Sequence, residues 1–139
     1  MKLGIGIDMV DIVRIKHLMR TTSFIDRCFS LREKEMFREK GKGLYQTVAG
    51  NFCAKEACAK ALGTGFTNIS LVEIEVLRDE KGKPYFAFNG RLSYLDTKAR
   101  FEVSITHTDA MAAATVLIQP FSKRKQEENK DNNVNVIET

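Results

Sequence analysis

The sequence predicts a mixed α+β fold in which an antiparallel sheet packs on one long central helix. Three observations lead there. Residues 44–62 are rich in alanine, hold no helix breaker except Gly50, and end at Gly63-Thr64-Gly65, a run suited to a helix closing in a left-handed cap. Apolar residues alternate with period two at 2–10, 71–77 and 101–106, and 111–118 is a further, nearly all-apolar run that reads as a strand. A turn signal, Asp79-Glu80-Lys81-Gly82-Lys83-Pro84, joins the second of these to an extended run at 85–88, so those two form a hairpin. Helical and strand segments in this order favour the α+β arrangement.

In the first strand, Leu3, Ile5 and Ile7 fall on one face and Gly4, Gly6 and Asp8 on the other. The second face carries a carboxylate with almost no side-chain bulk beside it. From Asp11 to about Arg20 the pattern becomes helical, with Ile12, Ile15 and Leu18/Met19 on one side and Arg14 and His17 turned to water. Ser30-Leu31-Arg32-Glu33 fits a capping box, where serine and glutamate each satisfy an orphan N–H at a helix start. The helix it opens should reach about Lys40 and stop at Gly41 and Gly43. After Asn89-Gly90 a short helical piece fits 92–99, and the last two strands meet near His107-Thr108-Asp109.

At 139 residues, 43% of them hydrophobic, the chain suits one domain with its own core. We place that domain at 1–118 and read 119–139 as a polar, flexible tail, too poor in core-forming residues to offset its ordering entropy. No stretch approaches the roughly 20 apolar residues of a membrane span, and Asp8 stands where a signal peptide would need its apolar centre. The expectation is a cytoplasmic protein with no membrane partner. Cys28, Cys53 and Cys58 are odd in number and form no CxxC pair, so they read as buried free thiols rather than as disulfides or a zinc site.

The tail holds four basic and four acidic residues, so the net charge of +4 belongs to the first 118 residues. Between Asp11 and Lys60 eleven Lys or Arg face six Asp or Glu, a balance that steers an anionic small molecule or an acidic protein toward this half. Nucleic acid is the other anionic candidate.

On the central helix, Phe52, Glu56, Lys60 and Gly63 share about an 80° arc, while Cys53, Ala54, Ala57, Cys58, Ala61 and Leu62 form an apolar surface. An i,i+4 Glu–Lys pair is also what a solvated helix surface carries, and a strand-end Asp8 can be satisfied by backbone donors. Spacing alone leaves both readings open. Two carboxylates from a strand and a helix, with no companion His or Cys, make a poor zinc cage. They make a good half-shell for magnesium, which keeps waters and substrate phosphates in its other positions.

Ile5-Gly6-Ile7-Asp8 followed by Phe52-Cys53-Ala54-Lys55-Glu56-Ala57-Cys58-Ala59-Lys60 resembles the two-part signature of the 4'-phosphopantetheinyl transferases. The spacing and length are similar to those of the short, single-domain branch, the holo-acyl-carrier-protein synthases. The resemblance runs from about Met1 to Ile118 and takes in Ala61-Leu62-Gly63-Thr64-Gly65, Gly82-Lys83-Pro84 and Val103-Ser104-Ile105-Thr106-His107.

The resemblance implies the 4'-phosphopantetheinyl transferase fold. It also implies transfer of 4'-phosphopantetheine from coenzyme A to a serine of an acyl carrier protein, in support of fatty acid biosynthesis. By the same resemblance Asp8 and Glu56 bind Mg2+ with the diphosphate of coenzyme A, and Lys60 neutralises phosphate charge. Gly63, Pro84 and His107 line the coenzyme A site, and Arg14 on the basic first helix docks the carrier's acidic helix. The short branch assembles as a homotrimer with sites between subunits. Without the resemblance, His107 reads as a buried, hydrogen-bonded strand-end histidine and Arg14 as part of a solvated basic face. The proton of the incoming serine could pass to Glu56, Asp8 or a water. Asn51 departs from the family pattern, which often has arginine there, and Lys40-Gly41-Lys42-Gly43 replaces a more arginine-rich run.

Two other classes fit the sequence less well. A small basic nucleic-acid-binding domain accounts for the charge but not for Asp8 or Glu56, and no aromatics interleave with the basic residues. A catalytically silent assembly partner would have no need of the two carboxylates.

Overall fold

The structure is a computed structural model and describes residues 1–21, 23–63 and 69–137. In chain order the elements are β1 (Gly4–Asp11), α1 (Ile12–Met19), α2 (Phe24–Cys28), α3 (Leu31–Glu39), α4 (Leu44–Leu62), β2 (Ile74–Arg78), β3 (Pro84–Phe88), β4 (Ala99–His107), β5 (Met111–Pro120) and α5 (Lys123–Ile137). Short 3-10 turns occupy Leu71–Glu73 and Gly90–Thr97.

The sheet predicted as one is two. A three-stranded antiparallel sheet has the order β1-β5-β4, and β2 and β3 form a separate hairpin. The central helix α4 lies across the first sheet, touching all three strands, and also meets β2. The mixed α+β architecture expected from the period-two and helical patterns is therefore the one observed.

The core forms where the inward faces of β4 and β5 meet the alanine side of α4. Val103, Ala112, Ala114, Val116 and Ile118 pack against Ala49, Cys53, Ala54, Ala57 and Cys58. Small residues on the helix allow close approach without cavities. Phe24, Phe29 and Phe37 extend this core under α2 and α3 through edge-on ring contacts. The three cysteines are buried and free.

Local signals were reliable where hydrogen-bond chemistry is self-contained. Ser30 caps α3 through Glu33 N, and the Glu33 side chain returns the bond to Ser30 N, completing the capping box. α4 has the predicted bounds and ends on Gly63 at φ +71°, where a side chain would be strained. The alternation at 71–77 predicts strand throughout, yet the stretch opens with a 3-10 turn, because Lys55 draws in the carbonyls of Leu71 and Ile74. The helix α2 carried no sequence signal.

The C-terminal stretch set apart by its composition has secondary structure of its own. β5 runs on to Pro120, beyond the boundary placed at 118, and Lys123–Ile137 forms the helix α5, which leans on the 3-10 turn at Gly90–Thr97. Along α5 Arg124 and Glu128 form an exposed i,i+4 pair, which adds a few tenths of a kcal/mol at most.

The apolar face of β1 is the open one. Leu3, Ile5, Ile7 and Met9 are 64–73% exposed, whereas the glycine and aspartate face turns toward α4.

Candidate active site

The site begins with two glycines. A Cβ on Gly4 would stand 2.3 Å from the carbonyl oxygen of Ala61, and one on Gly6 would stand 1.9 Å from that of Ala57. No other residue lets the strand lie so directly on the helix. Asp8 follows two residues along the same face, and so is delivered to the polar arc of α4.

There Lys60 donates from Nζ to Asp8 Oδ1 at 3.0 Å and to the carbonyl of Ile7 at 3.1 Å. The Asp8 side chain is 17% exposed and that of Lys60 51%, so the pair sits at the mouth of the site and the lysine can turn toward a ligand. Glu56, one turn earlier on the helix, is half-buried. Burial, and after it the Asp8 charge, hold its carboxyl above the ordinary glutamate range, while Lys60 and Arg14 work in the opposite direction. Arg14 thus reaches the site electrostatically from α1. The Cys53 thiol, Sγ 3.5 Å from the carbonyl of Ala112, is pushed up to about 12 by burial and then by Asp8, which makes it inert as a nucleophile.

Glu56 opens into a cleft of about 390 Å³ lined by Leu18, Phe24, Arg27, Phe52 and Leu71. A larger hollow of about 670 Å³ runs along α1 past Val13, Arg14, His17 and Ala110. Arg14, Lys16, His17 and Arg20 are all exposed, giving α1 the basic outer face read from its pattern.

Asp8, Glu56 and Lys60 are brought together; Pro84 and His107 do not join them within one chain. His107 ends β4, exposed, with Nδ1 3.4 Å from the carbonyl of Thr108. It pairs with Ala112, which pairs with Val10, so a whole strand separates it from β1. Pro84 opens β3 opposite Arg78, in the second sheet. Gly63 caps α4 just beyond Lys60, and the Thr64 and Gly65 that follow lie outside the described residues.

Asn51 is fully buried. Its Nδ2 donates to Glu33 Oε2 at 3.1 Å and to the carbonyl of Val76 at 3.0 Å, and its Oδ1 accepts from Arg78 at 2.8 Å. The side chain is thus spent internally, and the nearest guanidinium is supplied by β2.

Sequence reasoning missed Lys55. It is wholly buried, and its three donors reach Glu33 Oε1 at 2.5 Å, Leu71 O at 2.8 Å and Ile74 O at 2.7 Å. Burial pushes Glu33 up and Lys55 down, and each partner's charge opposes the other's shift. The signal was available: at 100° per residue Lys55 falls among Asn51, Cys58 and Leu62 on the inward side of α4, where a lysine must have partners.

Among the described residues no group of three or more His, Cys, Asp and Glu side chains gathers as a metal cage. Asp8 and Glu56 offer hard oxygen donors whose mutual repulsion a cation would relieve. That donor set fits an ion that takes few ligands from protein and the rest from water or phosphate.

The model of the 4'-phosphopantetheinyl transferase superfamily matches residues 4–116. The holo-[acyl-carrier-protein] synthase of Alkaliphilus oremlandii is 41% identical over 118 residues, covering 82% of this chain and 96% of the relative. That of Clostridium beijerinckii is 42% identical over 123 residues, covering 86% and 98%. Among solved structures, the holo-(acyl-carrier-protein) synthase of Bacillus anthracis in complex with CoA (3',5'-ADP) superposes with a TM-score of 0.72 at 34% identity, covering 84% of this chain and 95% of that one. The Neisseria meningitidis enzyme gives 0.76 at 32%, covering 84% and 97%. With the matched span holding both carboxylates, Lys60 and the whole three-stranded sheet as far as Val116, the chain belongs to the holo-[acyl-carrier-protein] synthase family of the 4'-phosphopantetheinyl transferase superfamily.

Proposed function

We propose that the chain transfers 4'-phosphopantetheine from coenzyme A to a serine of an apo acyl carrier protein, releasing adenosine 3',5'-bisphosphate and supplying fatty acid biosynthesis. The observation that carries this reading is the convergence of Asp8 from β1 with Glu56 and Lys60 from α4, the Lys60 ammonium already 3.0 Å from Asp8.

Phosphoryl transfer asks for positioning and charge neutralisation more than for a covalent nucleophile on the enzyme. Asp8 and Glu56 would hold Mg2+, which when bound draws negative charge from the diphosphate and aligns it. Lys60 turns from Asp8 toward a phosphate oxygen and neutralises it. The serine Oγ attacks the phosphorus on the pantetheine side of the diphosphate. The bond from that phosphorus to the bridging oxygen breaks, and the oxygen leaves with the nucleotide. The serine proton passes to Glu56, to Asp8 or to a water between them. Cys53 stays protonated and takes no part.

The carrier is read as an acidic partner of α1, because Arg14, Lys16, His17 and Arg20 stand outward together beside the hollow along that helix. The assembly is read as a homotrimer. Leu3, Ile5, Ile7 and Met9 on β1 and Leu117 on the neighbouring strand leave an apolar sheet face open, larger than isolated exposed side chains explain. Burying it against further copies would let one chain's His107 and Pro84 complete another chain's Asp8–Glu56–Lys60 group and line its coenzyme A site beside Gly63. No helix among the described residues is long and apolar enough to cross a membrane, which accords with a cytoplasmic site of action.

The test is a mass-shift assay on apo acyl carrier protein with coenzyme A and magnesium. The parent protein should add one phosphopantetheine mass, and Asp8→Ala and Glu56→Ala should each add none while keeping their circular dichroism. Absence of the shift with folded parent protein and active carrier rejects the reading.

A further inference from the structure

Lys55 adjoins Glu56 in sequence but points to the other side of α4, and the transfer chemistry makes no use of it. Its Nζ binds three acceptors, Glu33 Oε1, Leu71 O and Ile74 O. Three acceptors require three N–H groups, which only the ammonium form has. The ammonium also lies 5.1 Å from the centre of the Phe29 ring, so every direction around it is occupied. Leu71 and Ile74 bracket the 3-10 turn that begins β2, and Leu71 with Ile69 and Ser70 forms one wall of the cleft onto which Glu56 opens. Asn89 and Arg91 bind the same turn from the Gly90–Thr97 side, at Val72 and Glu73, and its tie to α4 is through Lys55, since Asn51 binds further along, at Val76.

We propose that Lys55 is a positioning residue for transfer, acting through the Leu71 and Ile74 carbonyls to hold the 69–74 wall at a set distance from Glu56. Glu33 is the counter-charge that keeps the ammonium in place. Asp8 and Lys60 belong to the β1 side of the helix and do not touch this network. Loosening the wall therefore changes how the reacting groups are confined beside Glu56 without altering the grip on the diphosphate. The inference rests on the proposed transfer reaction for its kinetic readout only.

The experiment compares Lys55→Met/Glu33→Gln, which removes both buried charges together, with Leu71→Ala, which cuts back the wall and leaves the lysine untouched. Both are measured against the parent by steady-state transfer and by amide hydrogen exchange. The expected result is a fall in kcat on the order of tenfold to a hundredfold at unchanged KM for coenzyme A. In the double variant, faster exchange should appear at 71–76 and at the start of α3, where Glu33 also accepts from Ser30 N, and not across the rest of the fold. A general loss of folding would instead lower kcat with the folded fraction and raise exchange across α4 and β5. Parent-like kcat in Leu71→Ala overturns the proposal even where the double variant fails to fold, and so does parent-like exchange at 71–76 in a folded double variant. Inactivity of the parent itself would count against the transfer reaction and leave the exchange result to decide the role of Lys55.

Discussion

Replacing Gly6 with alanine tests how β1 presents Asp8. The new Cβ would lie 1.9 Å from the carbonyl oxygen of Ala57 and 2.8 Å from the amide nitrogen of Ala61. Both are backbone atoms of α4 and cannot swing aside as a flexible side chain would. Relief requires the strand to back away from the helix by at least about 1 Å, since contacts under 3.0 Å are not sustained. Overpacking of this kind costs about 1–3 kcal/mol. Asp8, two residues along, moves with the strand, and a displacement near 1 Å at a reacting centre costs on the order of 100-fold in rate. Urea denaturation followed by circular dichroism reads the first quantity and the carrier mass-shift rate the second. Gly41→Ala, at a position with nothing within 4 Å, is the control and should match the parent in both. A Gly6→Ala variant with parent-like midpoint and rate would refute the claim that the glycine contact sets the site's geometry.

Glu56→Gln should abolish transfer yet raise the melting temperature at neutral pH. The folded pKa of Glu56 is raised by burial and by Asp8, so its ionised form destabilises the fold above that pKa and the cost fades as pH falls through it. The difference in melting temperature should shrink toward acid, and a constant difference would contradict the assignment. Glu75 works with the opposite sign: Arg32 chiefly, then Ser30 and Asn89, hold it down at about 2. It contributes roughly 2–3 kcal/mol that is complete above pH 4.5 and lost as pH falls toward 2, so Glu75→Gln should lower stability at pH 7 by that order and have little effect at pH 2 by urea titration. Ile5→Lys/Ile7→Lys should yield a folded monomer by sedimentation and lose transfer, whereas an unchanged trimer would move the proposed interface elsewhere.

Much of this protein was legible in the chain because its signals are local. A capping box closes within Ser30–Glu33, α4 declares itself by alanine and by the glycine that ends it, and the hairpin is written in its turn residues. A carboxylate in a glycine strand and a Glu–Lys pair beside small residues drew notice to Asp8, Glu56 and Lys60, but spacing left a solvated pair and a backbone-satisfied aspartate equally open, and only the two-part resemblance implied their roles. What periodicity could not decide is which face of an amphipathic strand meets the core. Leu3, Ile5 and Ile7 point outward because only the glycine face of β1 can approach the α4 backbone, a fact of packing between residues about fifty positions apart. The division into two sheets, the inward turn of Lys55 and the strand lying between His107 and β1 have the same origin. Each depends on how distant segments share space, where burial and hydrogen-bond satisfaction outweigh the preferences of any single stretch.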